Sequence, residues 1–272
     1  MKADASISHA SLAARFGLGG RRALVTGGSV SIGRAIALGL AEAGADVAIH
    51  SDPGADARFG LPNAAAETCA AISALSRRTA AIAGDFTRSG EASRVVDATR
   101  RALGGLDVLV ICASVQSNQD FAAITEAEIA RQVAVNLTAT IELLQAALPD
   151  MAAHGWGRVL AIGSVNQVRP NTQLSLYASL KAAQHNLIIG LARQYAKSGV
   201  TLNTLSPGLV ATERNRWRRK VAGEWEEIQA RANPMGRAAD PEEMVGAALL
   251  FCSGAAAFIT GADLQATGGG HL

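Results

Sequence analysis

The chain has 272 residues, of which 49% are hydrophobic and 18% charged, and its formal net charge is +2. This composition excludes a disordered chain, and so small a net charge gives no reason to expect a nucleic-acid or membrane partner. The sequence has no apolar run of membrane-spanning length, and its first twenty residues lack the apolar core of a signal peptide. Three scattered cysteines indicate reduced thiols. We therefore expect a globular cytoplasmic protein, and we assign no metal site.

Short apolar runs of strand length alternate along the chain with longer segments of helical periodicity. This alternation predicts an α/β fold, a doubly wound parallel sheet of about seven strands with helices on both faces. No linker interrupts it, so we expect one domain over residues 21–272, preceded by a mobile arm over residues 1–20. The predicted strands are 23–26, 46–50, 79–83, 107–112, 158–162, 201–205 and 263–266. The predicted helices are 32–43, 63–76, 90–103, 126–153, 175–198 and 242–253.

A glycine-rich loop, GGSVSIG at 27–33, joins the first predicted strand to the first predicted helix. A glycine turn at this point lets backbone N–H groups and the helix dipole face a pyrophosphate. The alternative is an ordinary tight turn between a strand and a helix. In its strand–loop–helix context the loop predicts dinucleotide binding. The loop residues assigned to the cofactor are Gly27, Ser29, Ser31, Ile32 and Gly33.

Tyr177 and Lys181 are four residues apart in a predicted helix, so that both side chains project from one helix face. A lysine cation beside a phenol favours the phenolate and should lower the tyrosine pKa from about 10 towards neutrality. Such a tyrosine can protonate a carbonyl oxygen, or deprotonate an alcohol in the reverse direction. Taken by itself, the spacing is equally compatible with a surface pair.

Together these motifs resemble those of the short-chain dehydrogenases. The segment from Thr26 to Gly33 resembles the T-G-x-x-x-G-x-G fingerprint of that family, with Ser31 at the middle glycine, and Tyr177-x-x-x-Lys181 resembles its Y-x-x-x-K motif. The resemblance spans roughly residues 21–272 and implies a Rossmann-type fold with an NAD(P) cofactor. Ser31 adds a Cβ where the cofactor phosphate approaches, so the loop must shift slightly or use the hydroxyl as a donor.

The same resemblance implies four catalytic residues. Tyr177 would be the general acid/base, and Lys181 would tune it and hold the cofactor ribose. Ser164, thirteen residues before Tyr177 at the end of a predicted strand, would bind the reacting oxygen. Asn136 would hold a water that relays protons to the lysine. Local capping or local hydrogen bonding is the alternative explanation for Asn136.

Further cofactor residues are implied along the chain. Asp85, followed by Phe86, matches the aspartate near the adenine. Residues 111–114 read I-C-A-S where the family usually has N-N-A-G. We assign Cys112, Ala113 and Ser114 to the cofactor, and Cys112 and Ser114 are departures from the family pattern. Residues 206–212 match the segment that packs on the nicotinamide. The residues assigned there are Pro207, Gly208, Val210 and Thr212.

The second predicted strand ends near Ser51 and Asp52, which we assign to the adenosine ribose. A carboxylate about 20 residues past the glycine loop would bind a ribose 2′-hydroxyl. Neither Val30 nor Asp52 is the arginine expected for a 2′-phosphate, and the negative charge of Asp52 disfavours that phosphate. The sequence therefore favours NAD over NADP.

The predicted function is the interconversion of a small-molecule carbonyl and a secondary alcohol by hydride transfer. A narrower alternative is the reduction of 3-oxoacyl groups on an acyl carrier. An alternative from another class, motivated by Ser31, Cys112 and Ser114, is a catalytically silent cofactor-binding sensor or scaffold. Because members of the family are commonly homotetramers or homodimers, the resemblance also implies an oligomer.

Residues 211–239 interrupt the alternation and are predicted to form a lid beside the active site. This segment carries the basic run 214–220 (RNRWRRK), which has five cations. The cations could steer an anionic substrate or dock an acidic acyl carrier. Alternatively they form a solvated face that is balanced by the glutamates at 224, 226 and 227.

Overall fold

The computed structural model describes residues 11–220 and 223–272, which form seven parallel strands in one sheet of order β3-β2-β1-β4-β5-β6-β7. Each strand is a short run rich in Val, Leu, Ile and Ala, as expected for strands covered on both faces. All seven predicted strands are present, and the prediction of a doubly wound parallel sheet is confirmed. The strands are β1 (Arg22–Thr26), β2 (Asp46–Ser51), β3 (Thr79–Ala83), β4 (Val108–Ile111), β5 (Gly157–Ile162), β6 (Val200–Pro207) and β7 (Asp263–Ala266).

Helices connect successive strands and cover both faces of the sheet. Along the described chain they are α1 (Leu12–Phe16), α2 (Ser31–Glu42), α3 (Pro53–Arg58), α4 (Ala64–Ala74), α5 (Glu91–Leu103), α6 (Glu126–Val133), α7 (Ala139–Ala153), α8 (Ser175–Tyr195), α9 (Glu224–Ala232) and α10 (Val245–Cys252). Within residues 11–220 and 223–272, none of these helices is both long and apolar enough to cross a membrane.

The core has two parts, because successive side chains of a strand point to opposite faces of the sheet. Leu24 and Leu109 face one side, where they pack with residues of α5, α7 and α8. Val25 and Val110 face the other side, where they pack with residues of α2, α4 and α10. Both faces of the sheet are therefore covered by apolar packing.

Two predicted helices differ from the structure. The segment predicted as one helix over residues 126–153 is α6 and α7, joined by a π-helical turn at Ala134–Thr138. Periodicity does not reveal such a turn, because one extra residue barely changes the spacing of the apolar positions. The helix predicted over residues 242–253 begins with a 3₁₀ turn at Pro241–Met244, capped by Asp240, and continues as α10.

Residues 1–10 of the predicted arm lie outside the described residues, and the rest of the arm contacts the folded body. Leu18 is buried, and its N–H donates to the carbonyl of Ala43 over 2.7 Å. Ahead of it, Leu12–Phe16 form α1, which Ser11 caps. The packed structure therefore begins at least at Leu18, before the predicted start at residue 21.

Candidate active site

A cavity of about 980 Å³ lies where the carboxyl ends of the parallel strands meet the glycine loop and the predicted lid. In sheets of this type that edge is where ligands bind. Ser164, which follows β5, and Tyr177 and Lys181 of α8 all line the cavity. So do the assigned cofactor residues Gly27, Ser29, Ser31, Ile32, Gly33, Asp52, Asp85, Phe86, Cys112, Ala113, Ser114, Pro207, Gly208, Val210 and Thr212.

Two assigned residues do not line the cavity. Ser51 is buried in β2, and its neighbours His50 and Asp52 line the cavity instead, because side chains alternate along a strand. Asn136 is fully buried in the π-helical turn between α6 and α7. Its amide pairs with the backbone of Val115, accepting from the N–H over 3.1 Å and donating to the carbonyl over 2.8 Å.

The glycine loop fits a pyrophosphate. Gly27 has φ +64°, which glycine adopts without strain, and a Cβ on Gly33 would overlap the carbonyl oxygen of Gly27. The loop therefore packs too tightly for a side chain at Gly33, and it leads directly into α2, whose first N–H groups have no partner within the helix. These features form a cradle for the phosphates of a dinucleotide.

Ser31 occupies this cradle in a left-handed conformation, with φ +51°. For a residue that has a Cβ, this conformation costs on the order of 1 kcal/mol. The hydroxyl of Ser31 accepts a hydrogen bond from the N–H of Glu213 over 3.1 Å, and its own hydrogen remains available for a phosphate oxygen. The predicted use of Ser31 as a donor is therefore sterically compatible with the loop, and the hydroxyl also ties the loop to the lid.

His50 is a residue of this site that sequence reasoning missed. It stacks on Phe86 with the ring centroids 3.9 Å apart, and burial lowers its pKa to about 4. Its Nδ1 accepts from the N–H of Gly27 over 3.3 Å, so Nε2 carries the hydrogen and donates to the carbonyl of Gly84 over 3.1 Å. This neutral imidazole joins the glycine loop to the end of β3. The only sequence signal was a polar residue at the end of an apolar strand.

Two acidic side chains stand at the adenosine end of the cavity. Asp52 caps α3, with one carboxylate oxygen accepting from the N–H groups of Gly54 and Ala55 over 2.9 and 3.2 Å. Asp56 is buried and accepts from the hydroxyl of Ser29 over 3.0 Å, and burial raises the pKa of its carboxyl. The sequence did not single out Asp56, because no helix was predicted over 53–58.

Asp85 makes a local turn as well as lining the cavity. Its carboxylate accepts from the N–H and the hydroxyl of Thr87, over 2.9 and 2.7 Å, and these hydrogen bonds lower its pKa. Both interpretations of Asp85 from the sequence, a residue near the cofactor and a cap at a strand end, are therefore compatible with its position.

Thr26 holds the backbone at Cys112, one of the two departures from the family pattern. The Thr26 hydroxyl accepts from the N–H groups of Cys112 and Ala113, over 2.9 and 3.1 Å, and donates to the carbonyl of Val110. This one hydroxyl braces the ends of β1 and β4 beside the glycine loop. Burial raises the pKa of the Cys112 thiol to about 11, so the thiol stays neutral near pH 7.

Lys181 is buried and lines the cavity. Its Nζ donates to the carbonyl of Ile162, at the end of β5, over 2.7 Å and to Oε1 of Gln184 over 3.0 Å. Burial lowers the lysine pKa to about 8. Tyr177 lies one helical turn away, with its ring centroid 5.9 Å from Nζ.

The pKa of Tyr177 departs from the sequence prediction. Burial raises it, while the charge of Arg214 and a hydrogen bond with Ser164 act in the opposite direction. The structure therefore gives the reverse of the predicted lowering by Lys181. The reason is that the ammonium donates to Ile162 and Gln184, while loss of water from around the phenol has the larger effect.

A chain of hydrogen bonds leads from Lys181 to Asn136. Gln184 accepts from Lys181 and donates to the hydroxyl of Thr140 over 2.8 Å, and that hydroxyl donates to the backbone carbonyl of Asn136 over 3.1 Å. Gln184 and Thr140 were not predicted, because only the packing of α7 on α8 brings them together. The predicted water at Asn136 stays a prediction.

The cations of the basic run make different contacts, although Arg214, Arg216, Arg219 and Lys220 are all exposed. Arg216 pairs with Glu213 over 3.2 Å, and Arg219 donates to the carbonyl of Thr212 over 2.5 Å. Arg218 lies 5.0 Å from the Trp217 ring, and both line the cavity. Arg214 alone among the five cations reaches across the cavity to the loop after β4, donating to Ser114 over 2.8 Å.

Comparison with known proteins agrees with this geometry. A family profile described as short chain dehydrogenase matches residues 21–222. An L-rhamnose 1-dehydrogenase (NAD(P)(+)) of Sphingomonas sp. is 33% identical, and the alignment covers 94% of this chain and 98% of the relative. A structure titled 3-oxoacyl (acyl-carrier-protein) reductase from Agrobacterium tumefaciens C58, with NADP bound, is 45% identical with a TM-score of 0.90, covering 97% and 99% of the two chains.

A structure of a gluconate 5-dehydrogenase from Burkholderia cenocepacia J2315, in complex with NADP and tartrate, is 29% identical with a TM-score of 0.86. The match covers 96% of this chain and 98% of that one. The chain belongs to the short-chain dehydrogenase family of oxidoreductases. Its relatives depend on NAD(P), and structures of several of them hold NADP.

Substitution of Gly33 tests the cofactor cradle. In Gly33→Ala the new methyl group overlaps the Gly27 carbonyl, so the loop must move. Its N–H groups then no longer point at the pyrophosphate. We expect the Kd for the dinucleotide to rise about tenfold or more in calorimetric titrations, which corresponds to about 1.4 kcal/mol. Gly246→Ala is the matched control, because a Cβ there meets nothing within 4 Å. Unchanged binding by Gly33→Ala would show that the loop does not hold the phosphates.

Proposed function

We propose that the protein interconverts a carbonyl and a secondary alcohol with NAD(P), using Tyr177 as the general acid/base. The observation that carries this proposal is the convergence of Ser164, Tyr177 and Lys181 on one cavity beside a glycine loop that fits a pyrophosphate. A sensor or scaffold without turnover would have no need for this set of side chains.

Each side chain has a role that its contacts support. The Ser164 hydroxyl accepts from the backbone N–H and the side-chain amide of Asn166, both over 3.2 Å, so its own hydrogen can be donated to the reacting oxygen. Tyr177 gives its proton to that oxygen during reduction and takes a proton from the alcohol during oxidation. When bound, the nicotinamide gives or takes the hydride.

Lys181 has two proposed tasks, holding the ribose of the cofactor and stabilising the phenolate that Tyr177 becomes. Its pKa of about 8 allows it to exchange protons near neutral pH. The hydrogen-bond chain through Gln184 and Thr140 positions the ammonium relative to Asn136. In this proposal Asn136 anchors the water through which the proton of Lys181 is replaced.

A second candidate is the reduction of 3-oxoacyl groups carried on a protein. The name of the Agrobacterium relative favours it, and so do the cations of the lid, which could contact an acidic carrier. Assays with acetoacetyl thioesters, compared with simple ketones and secondary alcohols, separate the two candidates. Tight binding of a dinucleotide without turnover on any of them would support the sensor alternative.

Substitution of Tyr177 tests the central role. Tyr177→Phe keeps the ring packing and removes the phenolic proton, so we expect turnover to fall by at least about 10²-fold with little change in cofactor Kd. Tyr195→Phe, in the same helix and outside the cavity, is the control and should retain activity. Near-normal turnover by Tyr177→Phe on a substrate of the wild type would refute the assignment.

The proposed cofactor is NAD in preference to NADP. The carboxyl groups of Asp52 and Asp56 line the adenosine end, where NADP would place a 2′-phosphate. Arg58 lines the same end, but its guanidinium lies 3.9 Å from Asp52, which already offsets its charge. The Agrobacterium relative holds NADP, so the preference needs a direct measurement.

Calorimetry with NADH and NADPH tests this preference. We expect the wild type to bind NADH more tightly, and Asp52→Asn to shift the ratio towards NADPH by about tenfold, since one repulsive charge is lost and asparagine still caps α3. Asp97→Asn, on the exposed face of α5, is the control. NADPH binding about tenfold tighter than NADH in the wild type would overturn the preference.

A further inference from the structure

The positive charge of Arg214 acts on the two proposed catalytic side chains Tyr177 and Lys181. That charge lowers the pKa of each. The hydrogen bonds of Arg214 go to neutral acceptors, namely the carbonyl and hydroxyl of Ser114 over 2.8 and 3.1 Å, the amide oxygen of Gln116 over 3.3 Å and the hydroxyl of Tyr177. Within residues 11–220 and 223–272, no carboxylate forms an ion pair with it.

The backbone on both sides of Arg214 is held in place. On one side, the N–H of Glu213 donates to the Ser31 hydroxyl. On the other, Asn215 accepts from the N–H of Thr212 over 3.0 Å and donates to the carbonyl of Val210 over 2.8 Å. The guanidinium of Arg214 is therefore presented to the cavity from a fixed base, whereas Arg216 is neutralised by Glu213 outside it.

The wall around this guanidinium is rich in amides. Side chains of Gln116, Asn118, Asn166, Asn171 and Gln173 line the same cavity, and of these Gln116 contacts Arg214 and Asn166 contacts Ser164. In the part of the chain that the structure describes, the amides of Asn118 and Gln173 make no side-chain hydrogen bond. Each amide offers two donors and an acceptor, which suits the hydroxyl groups of a ligand.

We propose that Arg214 binds a carboxylate of the substrate, and that the enzyme acts on small hydroxylated acids. This inference rests on the proposed function. The guanidinium fork matches a carboxylate with two parallel hydrogen bonds and would exchange neutral acceptors for a charged one. Because the Arg214 guanidinium also hydrogen-bonds the Tyr177 hydroxyl, a carboxylate bound to it would lie close to the carbon that reacts.

The chemistry balances within this arrangement. In oxidation the hydroxyl-bearing carbon of the acid loses a hydride to the nicotinamide of NAD(P)⁺ and becomes a ketone. The hydroxyl proton goes to Tyr177, and the carboxylate on Arg214 is unchanged. Arg214 is then a specificity-determining residue, which the substrate touches away from the bond that breaks.

Oxidation of matched acids and alcohols by the full chain tests this proposal. The acids are xylonate, gluconate and galactonate, and the neutral partners are xylitol, sorbitol and galactitol, each with NAD⁺ and with NADP⁺. We expect the wild type to have a kcat/KM at least about tenfold higher for the acids. Arg214→Gln should lower kcat/KM for the acids by about 10²-fold, mainly through KM, and should change that for the alcohols far less.

The ratio of kcat/KM for the acid to kcat/KM for the alcohol does not depend on any effect of Arg214 on the Tyr177 pKa, because that effect is common to both substrates. Arg214→Lys should recover part of the preference, since the charge remains but the fork is lost. Arg216→Gln, which removes a cation of the same run that pairs outside the cavity, should leave the ratio unchanged. The Kd values for NADH and NADPH serve as a second readout.

Several results would overturn the proposal. If Arg214→Gln lowered kcat/KM equally for acids and alcohols, Arg214 would act in the reaction step and not in binding the carboxylate. If it raised the Kd for the dinucleotide, Arg214 would bind the cofactor. Turnover of neutral ketones or thioesters without any turnover of the acids would reject the proposal while the proposed function stands. If no substrate turns over, the proposed function fails, and calorimetric titration of gluconate into the wild type and Arg214→Gln with NAD⁺ present still decides whether Arg214 binds the carboxylate.

Discussion

The buried ammonium of Lys181 is the constraint on which the rest of the site depends. A lysine with 2% of its surface exposed needs partners for its donors, and here the Ile162 carbonyl and the Gln184 amide accept from two of its three N–H groups. The hydrogen bond to Ile162 fixes α8 against the end of β5, and the one to Gln184 lies within α8. Tyr177, one turn earlier on α8, is thereby placed beside Ser164, which follows β5.

Arg214, in the predicted lid, is a second cation close to Tyr177. Arg214 acts on Tyr177 through its charge, and the Lys181 ammonium lies 5.9 Å from the centre of the Tyr177 ring, so two cations adjoin the proposed general acid/base. Ser31 joins this lid to the cofactor cradle through its hydrogen bond with Glu213. The serine that departs from the family fingerprint thus links the glycine loop to the segment that carries Arg214.

The strands and the Ser164–Tyr177–Lys181 set could be predicted because their signals are local or have fixed spacing. Buried parallel strands are continuous apolar runs, and a tyrosine and a lysine four residues apart must share a helix face. His50 with Phe86, Gln184 with Thr140, and Arg214 with Ser114 could not be predicted, because each pair is distant in sequence and meets only through packing. The direction of the Tyr177 pKa was missed for the same reason, since burial is a property of the fold.

Titration of Tyr177 is the most direct test of this account. The chain has two tyrosines, so in a Tyr195→Phe background the ultraviolet difference absorbance of tyrosinate reports Tyr177 alone. We predict a pKa above the ordinary value of about 10, and a further rise when Arg214→Gln removes the favourable charge, with Arg216→Gln as the control. A pKa that falls or stays constant in Arg214→Gln, while circular dichroism shows the fold intact, would contradict the account.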